Sequence, residues 1–174
     1  MKYHLLSRIF HWVMALLIIF MIGFGIYIAD FIGEDSTNRY TLFDLHKSFG
    51  VLVLILLSLR IVNRFLNHPP ALPQTIKKNE RILAHLGHFG LYVLMLIVPL
   101  SGYLMSNSYG FEVKFFGILL PFITSLDIDN AKIFSEVHEI SAYFLAGLIA
   151  IHIIAVIKHR FFDQKENDVL NRML

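Results

Sequence analysis

The sequence predicts an all-α integral membrane protein, a four-helix bundle with both termini cytoplasmic, and three observations predict it. The 174 residues are 56% hydrophobic and 16% charged, with a mean hydropathy of +0.64, well outside the range of soluble domains. Four stretches are poor enough in charge, and long enough, to cross about 30 Å of hydrocarbon. Lysine and arginine are shared unequally between the two sets of connections. The chain reads as a single transmembrane domain over 1–174, with no internal repeat, low-complexity tract or soluble domain, and nothing in it points to nucleic acid.

The first helix is expected over about 9–29, because Ile9 to Ala29 contains no Asp, Glu, Lys or Arg. Its apolar run is too long for a secretory signal and no small-residue cleavage site follows before Asp30, so it is expected to stay attached. The second, about 46–66, is less obvious. Ser48 to Leu59 is free of charge for only twelve residues, but Lys47, Arg60 and Arg64 can snorkel to extend the span to roughly twenty. Proline then stops it at His68-Pro69-Pro70 and again at Pro73, and His68 reads as a solvated loop residue. The third helix, about 83–105, lies within the uncharged run Ile82 to Phe111. An uncharged patch from Phe115 to Leu126, interrupted by Pro121, is too short to cross and is expected as an interfacial or re-entrant segment on the outer side over about 115–126. The fourth helix, about 138–160, contains the uncharged run Ile140 to Ile157.

Orientation follows from basic residues, which accumulate on the cytoplasmic side. Eleven of the fifteen, Lys2, Arg8, Arg60, Arg64, Lys77, Lys78, Arg81, Lys158, Arg160, Lys165 and Arg172, fall at the termini or around the second connection. Only Arg39, Lys47, Lys114 and Lys132 fall on the opposite side, which therefore becomes the outer face, with both termini cytoplasmic.

The most informative spacing lies in the fourth span. His138 and His152 are fourteen residues apart, about 40° short of four full turns, so both imidazoles share one helix face about 21 Å apart along the axis. Ionisable side chains inside a bilayer are costly and usually mark a pathway, a cofactor or a relay; the bland alternative is two isolated histidines hydrogen-bonded to neighbouring helices. Of the nine histidines, His46 enters the second span from outside and faces His138 near the outer surface. His11 and His152 converge near the inner surface, with His85 and His88 as rivals. Two levels of histidines from different helices are what two stacked, hexacoordinate haems would require. Cysteine is absent, which excludes iron–sulfur clusters and covalent haem attachment and leaves haem b held by ligation and packing. Gly50, one turn beyond His46, would let a flat macrocycle approach the backbone, although glycine is also common at membrane helix contacts. Arg60, fourteen residues after His46, reaches the inner level, where it can pair with haem propionates or serve as a positive-inside anchor.

Arg8-Ile9-Phe10-His11-Trp12, His46-Lys47-Ser48-Phe49-Gly50, Ala84-His85-Leu86-Gly87-His88, Val137-His138-Glu139 and the later His152 resemble, in order, the landmarks of the prokaryotic cytochrome b561 family across nearly the whole chain. The resemblance implies that His11 and His152 ligate the iron of the inner haem and His46 and His138 that of the outer one. It also implies a ubiquinone pocket at the cytoplasmic surface bordered by His88 and His159, with a loop lysine, Lys77, nearby. No catalytic residue is assigned. Family members of this kind oxidise superoxide outside and reduce ubiquinone inside as part of the respiratory chain. A relay cytochrome, the membrane subunit of a periplasmic dehydrogenase or hydrogenase, is the alternative. A histidine-lined metal transporter, for which His85-x-x-His88 can be cited, is disfavoured because the span interiors lack carboxylates.

One feature opposes superoxide as donor. The outer segments hold Asp30, Glu34, Asp35, Asp44, Glu112, Asp127, Asp129, Glu136 and Glu139 against four lysines and arginines, a formal net of −5. The average field repels a small anion, so attraction would have to come from a local funnel around Arg39, Lys47 and Lys132.

Overall fold

The computed structural model describes residues 2–33 and 36–174; Glu34 and Asp35, two of the outer carboxylates, lie outside the described residues. Four long helices dominate: α1 (Leu5–Ile26), α2 (Arg39–Leu66), α3 (Lys78–Ser108) and α4 (Ile128–Phe161). All four are long and apolar enough to cross a membrane. Their outer faces carry Leu16, Phe89, Phe144 and Ile154, each about two-thirds exposed, which in water would be untenable and in lipid is ordinary.

The helices outrun the apolar stretches that announce them. α2 begins seven residues before the expected 46, and α4 ten before 138. Apolar runs mark only the length in hydrocarbon, whereas a helix continues into the headgroup layer while its backbone remains satisfied. Asp127 provides such a start for α4, its Oδ1 accepting from the backbone N–H of Asp129 and Asn130 at 3.0 Å each. At the other end of α1, a five-residue π-helical turn, Tyr27–Phe31, follows directly after Ile26.

α1 packs on α2, α2 on α3 and α3 most extensively on α4, while α4 meets α1 only sparsely. The core lies at mid-height, where Met14, Ile18, Val53, Leu57, Met95 and Leu145 form one buried cluster contributed by all four helices. Histidine levels lie above and below it.

Both chain ends sit at one end of the bundle, stitched together. Tyr3 N–H donates to Arg172 O at 3.1 Å, Trp12 Nε1 to Met173 O at 3.0 Å, and Arg8 to Leu174 O. Arg172 also donates to Ala71 O at 2.9 Å, tying the tail to the connection between α2 and α3.

The opposite end is closed by residues 111–127. The segment expected to be interfacial contains a two-stranded antiparallel hairpin, β1 (Lys114–Phe115) and β2 (Ile118–Leu119). Its two turn residues, Phe116 (φ 47°) and Gly117 (φ 94°), both have positive φ, the geometry a two-residue hairpin favours because it matches the strand twist. Ser48 on α2 anchors the hairpin, accepting from Phe116 N–H at 3.1 Å and donating toward Lys114 O at 2.8 Å. Tyr103 holds Pro121 O at 2.7 Å, and buried Asn107 accepts from Ile123 N–H at 2.9 Å.

Candidate functional site

α4 carries one histidine to each level. At the hairpin end, His138 faces His46 of α2 with ring centroids 6.3 Å apart; at the termini end, His152 faces His11 of α1, also at 6.3 Å. Two imidazoles sharing one metal ion need ring centres about 6 Å apart, from two metal–nitrogen bonds of about 2 Å and about 1 Å from each nitrogen to its ring centre. Both pairs meet that requirement. Haem b, held by two axial imidazoles, is the group of that description that this donor set suits, since no thiolate exists in the chain.

The hairpin-end pair is firmly placed. His138 Nδ1 lies 2.7 Å from Val98 O, and because a carbonyl only accepts, Nδ1 carries the proton and Nε2 keeps its lone pair for a metal. Two glycines back the rings: a Cβ on Gly25 would stand 3.2 Å from His46 Cε1, and one on Gly102 3.0 Å from His138. His46 Nδ1 is buried without a partner among the described residues. Beside Gly50, a Cβ would meet only Pro99 Cβ, at 4.0 Å, so the backbone there has room at its side.

The termini-end level is more crowded. His88 of α3 also reaches His152, at 5.6 Å between centroids, whereas His85 is exposed. Arg60 does not snorkel to lipid. Its guanidinium turns into the bundle, with Nε 3.2 Å from Tyr92 Oη, the Tyr92 ring beneath it, and Nη2 3.1 Å from His11 Nδ1. Arginine only donates, so His11 Nδ1 accepts in this arrangement; for Nε2 to bind iron, its proton must move to Nδ1 and Arg60 must turn to another acceptor.

His159 lies in the last turn of α4, with Nδ1 2.8 Å from Asp163 Oδ2, and Lys77 immediately precedes α3 as its N-cap residue. Glu80, His159 and Asp163 bring their ligand atoms within 4.8 Å of one another, but the Lys158 ammonium already neutralises Glu80, so the group reads as an ion-pair network. Asp163 is the hub of the tail. Its carboxyl is held down at about 2 by the Asn167 side-chain amide first, then the Gln164 N–H and His159. A carboxyl depressed from 3.8 contributes its stabilisation in full above that value and loses it as pH falls through about 2. Hydrogen-exchange protection of the tail, corrected for intrinsic rates, is therefore expected to persist from neutral pH to about 4 and to collapse toward pH 2. Persistence at pH 2 would show that Asp163 does not hold the tail.

On the hairpin end, the proposed local funnel is already engaged. Lys47 pairs with Asp44 at 2.7 Å and donates to Glu112 O at 2.8 Å, Lys132 lies 3.7 Å from Asp129, and Arg39 donates to Ile32 O with its guanidinium over Phe43.

Four helices able to span a membrane, with half-buried histidine pairs at two levels, fit a membrane electron-transfer cytochrome of the b type. Residues 2–174 match the family model described as prokaryotic cytochrome b561, and the chain belongs to that family. It is 29% identical over 174 residues to "Cytochrome b561 homolog 2" of Escherichia coli (strain K12), covering 99% of this chain and 91% of that protein. Its identity to "Probable superoxide oxidase CybB" of Yersinia pestis is 27% over 175 residues, covering 99% and 96% respectively.

Tyr92, Gly25, Gly102 and Val98 were not singled out from sequence. Gly102 lies fourteen residues after His88 on the same helix, the spacing that singled out Arg60, and that was the available signal.

Proposed function

We propose that this chain is a two-haem, bacterial inner-membrane cytochrome b with cytoplasmic termini that takes electrons from a periplasmic donor, superoxide in the leading reading, and delivers them to ubiquinone. The observation that carries the proposal is the pair of histidine couples at the same 6.3 Å separation, one at each end of the buried core. His46 and His138 would hold one haem and His11 and His152 the other, with Gly50 leaving room beside the first and Arg60 supplying a guanidinium to propionates at the second. Bound haem supplies reversible one-electron exchange at each level. The remaining chemistry belongs to the side chains. His88, beside the His152 ring, and His159, oriented by Asp163, would hydrogen-bond a quinone headgroup and pass protons to it, with the Lys77 ammonium contributing positive charge.

The stoichiometry balances as two superoxide ions losing one electron each to leave two molecules of O2, while one ubiquinone gains both electrons and two protons to become ubiquinol. Support for superoxide comes from the relative of that printed name. The acidic, internally paired hairpin end favours the second reading, a relay that accepts electrons from a partner subunit docked there.

Reduced-minus-oxidised spectra and haem extraction of the purified protein test the first part, with two haems b per chain expected; a single haem refutes it. His88→Gln and His159→Gln are each expected to slow ubiquinone reduction at least about tenfold, a loss of roughly 1.4 kcal/mol in barrier lowering, while both haem spectra persist. Unchanged quinone kinetics in both variants would remove these residues from the quinone site.

A further inference from the structure

α3 has a notch facing His138. Residues Val98-Pro99-Leu100-Ser101-Gly102 form it, and its floor is the Val98 carbonyl. Side chains on a helix lean back toward its N-terminus, so the residue four positions on normally shields a given carbonyl. At the position that would shield Val98 stands Gly102, which has no side chain. A Cβ there would come within 3.0 Å of both Cε1 and Nδ1 of His138, a contact the ring could escape only by moving. The Val98 carbonyl is also oversubscribed. It has two lone pairs, yet it faces His138 Nδ1 at 2.7 Å, Ser101 Oγ at 2.9 Å and, through the helix ladder, the Gly102 N–H.

We infer that this notch is a positioning and tuning device for His138: Gly102 admits the imidazole to the Val98 carbonyl, and Ser101 competes for that carbonyl and so limits how strongly His138 can donate. The inference rests on the haem reading above, because what it sets is the donor strength of an axial ligand. A stronger Nδ1–H bond gives the imidazole more anionic character, favours oxidised iron and lowers the reduction potential; a weaker bond raises it. His46 has no corresponding partner on Nδ1 among the described residues, so the setting at this level falls to His138.

Two substitutions therefore act in opposite directions on the same haem. Gly102→Ala displaces the ring from the carbonyl and is expected to raise the potential of the hairpin-end haem. Ser101→Ala removes the competing hydroxyl, leaves two donors for two lone pairs, and is expected to lower it. Spectroelectrochemical titration of the purified holoprotein reads both, with an expected change of about threefold to tenfold in the oxidised-to-reduced ratio at a fixed poise, tenfold being 59 mV for a one-electron couple. The other haem is expected to stay at its parent potential in both variants. Gly147→Ala serves as the control on α4, since a Cβ there meets nothing within 4 Å. Opposite shifts confined to one haem support the device; no shift in either variant, or equal shifts of both haems, overturns it. Should Gly102→Ala fail to retain the haem, Ser101→Ala decides alone. A parent protein lacking a haem at the His46–His138 level would instead refute the haem reading itself.

Discussion

Purified His138→Ala protein is expected to lose the haem at the hairpin end and keep the other, and His152→Ala the reverse. Each level is built from one ring of α4 and one ring of a different helix, 6.3 Å away, and on the proposed assignment truncation would leave a haem there with one of its two imidazoles. The two levels are separated by the cluster Met14, Ile18, Val53, Leu57, Met95 and Leu145, so the loss at one level has packed side chains between it and the other. Pyridine haemochrome quantification should fall from two haems to one in each variant. Loss of both in either variant would show that the sites assemble together, and retention of both would remove that histidine from the ligand set. At the termini end the comparison extends to His88, whose ring is nearer His152 than His11 is. An unchanged haem spectrum in His11→Ala would transfer the ligand role to His88.

The second large effect concerns the electron donor. If superoxide reacts at the hairpin end, stopped-flow mixing with a superoxide source should reduce the haem rapidly, and superoxide dismutase should abolish the reaction. Encounter between an anion and this face cannot rely on its average charge. Lys47 and Lys132 are already paired with Asp44 and Asp129, and the segment's formal charge is negative. The rate is therefore expected to rise modestly with added salt as the repulsion is screened, by about twofold or less between low and physiological ionic strength, where the screening length shortens to about 8 Å. Asp44→Asn, which removes one negative charge and releases the Lys47 ammonium, should raise the rate and flatten its salt dependence. Absence of any dismutase-sensitive reduction would retire superoxide and leave the relay, whose partner the acidic face would then recognise.

The helices were legible in the charge-free runs because a bilayer penalises charge so heavily that the spans announce themselves. Their ends were not. Arg39 and Ile128 begin helices well outside the apolar stretches, since capping and loop contacts, such as those of Asp127, decide where a helix starts once it has left the hydrocarbon. The placement of His46 opposite His138 and of His11 opposite His152 followed from depth along each helix. Depth alone could not choose between His85 and His88, which are three residues apart. Rotation about α3 decides that, turning His88 toward His152 and His85 outward. The notch at Gly102 was harder still, because its meaning depends on which residue of another helix arrives opposite it. Arg60 was assigned a depth by its spacing, and its contacts with Tyr92 and His11 give that depth a direction.

The sharing of α4 between the two levels has a consequence for biosynthesis. His138 and His152 sit on α4, made after the other three helices, while their partners His46 and His11 belong to the first two. On the proposed ligand assignment, a nascent chain that has inserted three helices would display two half-complete sites and no complete one. Cofactor capture at either level would then await insertion of the fourth helix, and a chain arrested before α4 would carry neither pair.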